Sequence, residues 1–495
     1  MKFWGIVAAI VLIFAFSVSA YAETQSVKVS GDLTIRGVHR REFDLNENAR
    51  PVSDNFIMTT TELQVDANLT DNVSTVIRIV NQRNWGDSDY KTLRGQFHNV
   101  ASTASVTTNQ LTVGHGLLDL GIDLAYIQIK ELYFEPLTLR IGRQDLWFGR
   151  GLIIGANQTD PGFVSGVLTD SNLVTILNDG VHGIGSPELT AFNSFDAIRA
   201  TIDFEKYAPF VVDLIYFKND EGKIGPEDDL DVYGVNAGYT WNVYNAEAEV
   251  YYWLRHNKDT NNPFEAGADK VNTVGIRGSF MPIEEFVFGA EAAYQFGQYI
   301  ASPGQQAERG RSAALLNLFV EYLGWTKYLY SPKVGAEWIY ETGDRNTGKE
   351  GGTYGRWHPM YRGYYPLLIR PFQGYYYFTS RFTGGQDLGL TNQHEFILSG
   401  SMKPLDDITI EAKAAKYYFD NEPLENAIGG RDVGTEMDFL TTYDYTEDVT
   451  FSFLSAFFFP GGVYDKQEIP QGELTGTDIE PQVASEFIGS CKVSF

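Results

Sequence analysis

The sequence contains little cysteine, few basic residues and few long apolar runs. Its single cysteine, Cys491, excludes an intramolecular disulfide and a thiolate metal cluster. Only 38 Lys and Arg oppose 64 Asp and Glu, so the formal net charge is −26 and a nucleic-acid-binding protein, which needs a basic face, is excluded. Beyond the N-terminal segment, no uncharged apolar stretch approaches the length of about 20 residues that a membrane-spanning helix needs. A helical membrane protein is therefore excluded as well.

Aromatic residues and glycine are abundant instead. The chain has 29 Tyr, 33 Phe and 49 Gly, a mixture that favours strands, turns and interfaces over helices. Apolar residues make up 43% and charged residues 21%, as in an ordinary folded chain. This composition argues against disorder, collagen and coiled coil.

The first 22 residues have the features of a secretory signal peptide. Lys2 is followed by an apolar run, and the tripeptide that ends at Ala22 is a small-x-small cleavage site. We therefore expect Sec-dependent export, cleavage near Ala22 and one mature domain over residues 23–495.

Period-two alternation of apolar and polar side chains dominates the mature chain. In one segment Leu63, Val65 and Ala67 alternate with Gln64 and Asp66. Segments of about ten residues with this alternation are typical of transmembrane β-strands. The predicted strands cover about 27–39, 56–69, 73–83, 121–132, 137–148, 195–204, 210–218, 231–241, 245–255, 271–281, 286–297, 312–323, 331–341, 391–403, 408–419, 432–444, 448–459 and 484–495.

The connections between these strands alternate between short and long. Turns such as Asp71-Asn72 are tight, whereas the connections at about 84–120, 149–194 and 342–390 are long. Short periplasmic turns and long extracellular loops have this distribution in outer-membrane barrels, and a soluble β-sandwich does not. We predict an all-β fold, a single transmembrane antiparallel β-barrel of about 18 strands in the Gram-negative outer membrane.

The end of the chain supports the same prediction. Phe487, Cys491 and Phe495 fall on one face of a final amphipathic strand, which resembles the terminal signal of bacterial outer-membrane barrels. We expect the barrel assembly machinery to bind this strand through Phe495. Outer-membrane lipid and lipopolysaccharide are the expected partners of the outer face.

In such a barrel the apolar residues face lipid, and their alternation partners face the lumen. This rule places both signs of charge inside, and two interpretations compete. In the first interpretation, the charges form a lattice of arginine–carboxylate pairs that stiffens the wall. In the second, some arginines line a path for anions, because rings of Arg or Lys select anions. The candidate pore-lining residues are Arg36, Arg78, Lys130, Arg140, Arg143, Arg199, Arg277, Asp203 and Glu291.

The sequence has no pattern that is specific for catalysis or metal binding. His394 and Ser399 lie five positions apart on one predicted strand, so they face opposite sides and do not form a hydrolase pair. No His/Cys cluster has metal-ligand spacing. We predict that the protein is not an enzyme and uses no cofactor.

The segment 137–160 resembles the central motif of the alginate-export family. The matching positions are Gly142, Arg143, Gln144, Leu146, Phe148, Gly149, Arg150 and Gly155. Segments 335–344, 386–396, 432–439 and 459–461 are also similar to that family. The resemblance implies an outer-membrane channel with an eighteen-stranded barrel and an arginine-lined lumen for an anionic polysaccharide.

Two arginines of this motif region have opposite alternation phases. Either a bulge follows Gly142 or only one of Arg140 and Arg143 faces the lumen. We assign Arg140 to the pore wall and regard Arg143 and Gln144 as markers of the motif.

These observations predict a passive outer-membrane channel that exports an anionic, alginate-like polysaccharide. Its long loops narrow the barrel, and a synthase or periplasmic scaffold supplies the polymer. One alternative is a general or nutrient-specific porin for small polar or anionic solutes. Another is a barrel scaffold that sheathes a periplasmic redox protein or anchors a surface complex.

Overall fold

A computed structural model describes the strands of the chain and parts of the loops that join them. The predicted signal peptide and most of the loop predicted at 84–120 lie outside the described residues. The described residues are 25–42, 45, 53–85, 120–156, 189, 191, 193–220, 229–258, 269–299, 309–345, 352–372, 390–422, 430–464 and 481–495.

Nineteen strands form one sheet, and eighteen of them close into an antiparallel barrel. Each barrel strand pairs with its neighbours in sequence, and β1 pairs with both β2 and β19, so the ring has no free edge. The remaining strand, β14, has two residues and pairs in parallel with β12. The strands are β1 (Ser26–Arg41), β2 (Ser53–Asn68), β3 (Val73–Asn84), β4 (Leu120–Ile129), β5 (Leu137–Gln144), β6 (Phe195–Asp203), β7 (Phe210–Asp220), β8 (Leu230–Trp241), β9 (Ala246–Asn257), β10 (Lys270–Ile283), β11 (Phe286–Tyr299), β12 (Arg309–Tyr322), β13 (Lys333–Glu341), β14 (Thr353–Tyr354), β15 (Gln393–Leu405), β16 (Ile408–Phe419), β17 (Asp432–Asp444), β18 (Val449–Pro460) and β19 (Ala484–Ser494).

The predicted fold class is confirmed, and each predicted strand overlaps one barrel strand. The outward residues of the strands are apolar and exposed, as in Val29, Ile122 and Ile276, each 56% exposed. A soluble protein would cover such a continuous apolar band, whereas lipid covers it in a membrane barrel. The short connections lie at one rim and the long ones at the other, which defines the periplasmic and extracellular ends.

The fifth strand ends four residues earlier than predicted. The segment predicted at 137–148 leaves the wall after Gln144, because the chain turns there into the barrel interior. The described helices are the 3-10 turns Val243–Asn245, Arg370–Phe372 and Gly462–Tyr464. In the part of the chain that the structure describes, no helix has the length and apolar character needed to cross a bilayer.

Candidate functional site

Two loop segments fold into the barrel and pack against each other. We call residues 145–156 the transverse segment and residues 352–372 the inner strap. Ile154 of the first and Tyr361 of the second are fully buried, and both belong to one apolar cluster with wall residues such as Phe217 and Trp253. The interior of the barrel is therefore partly filled at this level.

The transverse segment crosses the lumen. It leaves β5, and Phe148 then packs on Trp253 of β9 with ring centroids 5.1 Å apart. Further along, Arg150 reaches β13, where its Nη2 lies 3.1 Å from Oε2 of Glu337. Because β5 and β13 are eight positions apart in a ring of eighteen strands, the segment runs between nearly opposite walls.

Backbone pairing joins the two inner segments. The amide of Tyr361 donates to the carbonyl of Ile153 at 2.9 Å, and the amide of Gly155 donates back to the carbonyl of Tyr361 at 2.8 Å. A Cβ atom on Gly155 would lie 2.9 Å from the Cα of Gly363, so only glycine permits this approach. Gly155 of the sequence motif therefore serves a close contact between backbones.

A three-residue clasp closes the far end of the transverse segment. Nη2 of Arg150 donates to the Tyr364 hydroxyl at 2.6 Å, and this hydroxyl donates to Oε2 of Glu337, also at 2.6 Å. The guanidinium carbon lies 3.9 Å from the ring centroid of Phe319. Burial and the neighbouring Glu337 raise the pKa of Tyr364 above its ordinary value. The hydroxyl therefore stays protonated and keeps the carboxylate of Glu337 bound.

Buried charges fix the inner strap to the wall. Nη1 of the fully buried Arg362 lies 2.9 Å from Oε1 of Glu341 and 3.1 Å from Oε1 of Glu395. Burial by itself would lower the pKa of Arg362, but Glu395 and Glu341 outweigh burial and raise it. The strap is thus held by an arginine between two wall carboxylates.

Two further wall carboxylates bind the backbone of the strap. Oδ2 of Asp438 accepts the amide of Leu368 at 2.9 Å, and Glu436 accepts the amides of Ile369 and Arg370. Three successive backbone donors are thereby satisfied by one strand, β17. This arrangement leaves the strap no freedom to slide along the wall.

A cavity of about 500 Å³ opens on the periplasmic side of the transverse segment. Its lining includes Phe148, Arg199, Asp213, Asn236 and Glu249. Trp147 and Tyr239 also line it, and this volume with its mixture of three aromatic and several polar side chains suits a small polar solute.

Three candidate arginines face the lumen and are paired with carboxylates. Arg78 donates to Asp123, Nε of Arg199 lies 2.7 Å from Oδ1 of Asp213, and Arg277 contacts Glu247 at 2.6 Å and Glu249 at 2.7 Å. These residues form the lattice of the first interpretation. Their charges are locally compensated, so they present a polar wall with little net attraction for an anion.

Two other candidates face the lumen without a carboxylate partner among the described residues. Nη2 of Arg140 donates to the side-chain carbonyl of Gln128 at 2.7 Å, and its guanidinium lies over the ring of Tyr126 at 4.6 Å. Arg36 donates to the hydroxyl of Thr60 at 3.3 Å. Both keep a net positive charge, which is what an anion path requires.

Arg143 is on the outer face of the barrel. It stands opposite Asp196 in the β5–β6 pairing, and its Nη1 lies 3.3 Å from Oδ2 of that residue. Alternation continues through Gly142 because this glycine takes φ of +123° without adding a residue to the strand. Of the two, only Arg140 therefore points inward, and the pore-lining candidate Arg143 lies on the outer face.

The other three candidates differ in position. Lys130 lies one residue beyond β4, exposed in the turn, because the strand ends earlier than predicted. Asp203 is at the periplasmic end of β6, where Oδ1 accepts the amide of Glu205 at 2.8 Å. Glu291 is 3% exposed on the inner wall and accepts the hydroxyl of Tyr251 at 2.7 Å. The pore-lining role of Asp203 and Glu291 stays a prediction.

A comparison with known protein families identifies the family of this chain. The model of the family described as Alginate export matches residues 184–476, more than half of the chain. The chain belongs to the alginate-export family. A search of curated proteins finds no match. The family and the barrel make this protein an outer-membrane channel.

Solved porins share the fold of this alginate-export family barrel. OccK9 (OpdG) of Pseudomonas aeruginosa has a TM-score of 0.50 at 13% identity, covering 94% of this chain and 99% of that one. OccAB1 of Acinetobacter baumannii has a TM-score of 0.51 at 11% identity, covering 97% and 99%. At such low identity the likeness concerns the barrel fold alone.

The residues that sequence reasoning missed lie in the strap of the alginate-export family barrel. Arg362 and Tyr364 are in a predicted loop, where period-two alternation carries no information. A usable signal was the composition of residues 354–370, which is rich in aromatic and apolar side chains. A loop with this many apolar and aromatic side chains is expected to bury them away from water, and here they are buried inside the barrel.

The strap should respond to acid through His358. This half-buried histidine accepts the amide of Met360 on Nδ1 at 3.0 Å, and loss of solvation together with Arg255, Arg311 and Arg356 lowers its pKa well below 6.5. Since the unfolded side chain binds a proton below pH 6.5 and the folded one does not, strap stability falls as the pH drops through that value. The loss is about 1.4 kcal/mol per pH unit until the lowered pKa is reached.

Limited proteolysis of the strap between pH 7.5 and pH 5 would measure this response. A His358→Asn variant keeps a hydrogen-bond acceptor and does not titrate, so its cleavage rate should stay flat over the same range. Equal pH dependence in the wild type and the variant would exclude His358 as the cause.

Proposed function

We propose that this outer-membrane channel passes anionic saccharides of limited size, such as short uronate oligomers, by passive diffusion. The observation that carries the proposal is the transverse segment, which is clasped to the opposite wall by Arg150 and Glu337. With this clasp closed, the lumen is constricted, and an extended hydrated polymer meets a barrier. A small solute passes beside the segment and reaches the cavity below it.

The proposed mechanism involves no chemistry. The guanidinium groups of Arg36 and Arg140, which form no ion pair with a described carboxylate, attract a carboxylate of the solute, because Arg can bind it through two parallel hydrogen bonds. The paired arginines and carboxylates of the wall form hydrogen bonds with the hydroxyl groups of the saccharide and so replace part of its hydration shell. Each contact must be weak enough to release the solute, as in other selective pores.

Export of a long anionic polysaccharide is the second candidate function. The match to the Alginate export model favours it. For this function the clasp has to open during transport, and a synthase or periplasmic scaffold has to deliver the polymer.

Selectivity in a planar bilayer tests the role of Arg140. We expect Arg140→Gln to lower the ratio of anion to cation permeability about fivefold, because a contact between unit charges is worth about 1 kcal/mol even in water. Arg143→Gln is the matched control, since Arg143 lies three residues away on the outer face and should leave the reversal potential unchanged.

The same bilayers separate the two candidate functions. Uronate dimers and trimers that block the current at lower concentration than long polymer support the proposed size limit. Block by polymer alone, or threading of polymer through the pore, would replace the proposal with polysaccharide export. An open, unselective pore in which Arg140→Gln has no effect would reject both.

A further inference from the structure

A row of ionisable side chains, five of them charged at pH 7, crosses the outer face of the barrel near its extracellular rim. It occupies mutually paired positions on six consecutive strands, β5 to β10. We call this the charge row. Its members are Arg143, Asp196, Lys218, Asp231, His256 and Lys270.

The charge row marks the upper limit of the apolar band. Two residues below it on the outer face, five of the six paired positions are apolar or aromatic and include Ile141, Ile198 and Tyr233, which are 45%, 44% and 45% exposed; the sixth is Asn272. The ring of Tyr216 lies 5.2 Å from that of Tyr233, and its hydroxyl donates upward to Oδ1 of Asp231 at 3.0 Å. Tyrosines with an apolar ring and a raised polar tip are typical of the membrane–water interface. The row therefore lies at the level of the lipid headgroups.

The cations of the row differ in their partners. Lys218 is 3.3 Å from Asp229, and the hydrogen bond that Lys258 donates to Asp231 raises the pKa of Lys258. Lys270 is exposed and makes no ion pair with a described residue. Nε of Arg143 is buried without a hydrogen-bond partner among the described residues. Among the described residues, Lys270 thus forms no ion pair, and Arg143, although paired with Asp196, keeps one N–H group without a hydrogen bond.

The charge row is continuous only over β5 to β10. Its continuation on the next two strands is Gln298 and Gly310, which carry no charge. Elsewhere near this rim, the outward charges of the described residues are scattered and include Arg41 of β1 and the pair of Lys416 with Asp432. A requirement for solubility of the rim alone would not concentrate charges on six adjacent strands.

We propose that the charge row binds the phosphate groups of a phosphorylated glycolipid in the outer leaflet. Lysine and arginine at a membrane surface bind lipid phosphate, and the guanidinium of Arg143 adds a directional donor. The exposed carboxylate of Asp196 contributes an oxygen ligand to a divalent cation shared with a phosphate. The apolar strip below the row accommodates the acyl chains of the same molecule.

Binding of bis-phosphorylated lipid A to the purified barrel in detergent, measured by native mass spectrometry with Mg²⁺ present, tests this proposal. We expect Lys218→Ala/Lys270→Ala to weaken binding about 30-fold, equivalent to about 1 kcal/mol for each lysine. Lys416→Ala, on the opposite wall, is the matched control and should bind as the wild type does. Dephosphorylated lipid A should bind the wild type as weakly as the phosphorylated form binds the double variant.

Several results would overturn the proposal. Equal binding of phosphorylated and dephosphorylated lipid A is one such result, and unchanged affinity in the double variant is another. The third is a variant that changes the oligomeric state and leaves lipid binding unaltered, which would assign the row to contact with a second copy of the chain. Heat-modifiable migration in gels establishes that each variant is folded. Arg143→Gln repeats the test without either lysine substitution and should also weaken phosphate-dependent binding.

Discussion

Replacing Arg362 with methionine is expected to release the inner strap and raise the single-channel conductance. The guanidinium is fully buried between Glu341 and Glu395, and the substitution leaves these two carboxylates buried without their cation. Removing one partner of a buried pair costs about 3–5 kcal/mol. The strap can relieve this cost by leaving the wall and admitting water, so protease cleavage within residues 352–372 should rise together with the conductance.

Arg40→Met is the matched control for this experiment. Arg40 is also buried and paired, with its Nε 2.6 Å from Oε1 of Glu486, but it lies on the seam between β1 and β19. It should lower barrel stability by a similar amount without increasing cleavage of the strap. Adding Glu341→Gln and Glu395→Gln to Arg362→Met should restore part of the strap's protection, since the uncompensated charges are then removed. If Arg362→Met and Arg40→Met change the conductance equally, the strap is not the element that blocks the lumen.

Arg150→Ala is expected to detach the transverse segment from β13 and widen the passage. The side chains of Arg150 and Glu337 are 16% and 9% exposed, so their contact is worth close to the value of a buried pair, about 3 kcal/mol. The loss includes the stacking of the guanidinium on Phe319 and Tyr364. Conductance should increase, and longer uronate oligomers should begin to pass.

Two variants define the specificity of this effect. Tyr364→Phe removes one hydroxyl of the clasp and should give a smaller change, since a single hydrogen bond contributes about 1 kcal/mol. Arg143→Ala removes an arginine of the same motif from the outer face and should leave conductance unaltered. Unchanged conductance in Arg150→Ala would show that the backbone pairing at Tyr361 holds the segment by itself.

The barrel wall was predictable because lipid imposes a strict rule on it. Every second residue of a strand must be apolar, so eighteen strands and their order could be read from segments such as 63–67. The alternation does not decide which face a side chain takes where the sequence leaves open whether a bulge adds a residue. At Gly142 it left two answers for Arg140 and Arg143, and the paired strands were needed to choose between them.

The lumen was much less predictable because its contacts are distant in sequence. Arg150 and Glu337 are 187 residues apart, and nothing in either segment indicates the partner. Alternation predicts that Arg199 and Arg277 face inward, but it does not reveal that Asp213, Glu247 and Glu249 neutralise them. The inner strap follows no period, since its residues are placed by the shape of the space they fill.

The seam between the first and last strands has a consequence for the order of assembly. Arg40 and Glu486 are separated by 446 residues and become neighbours only when β1 pairs with β19. Until then the backbone N–H and C=O groups at the free edges of both strands lack partners. Bringing the two ends of the sheet together also costs conformational entropy. Closure is therefore the slow, late event of folding, as expected for a topology dominated by distant contacts. Because this ion pair lies inside the finished seam, its formation reports completion of the ring, and a probe placed there would time the final step of biogenesis.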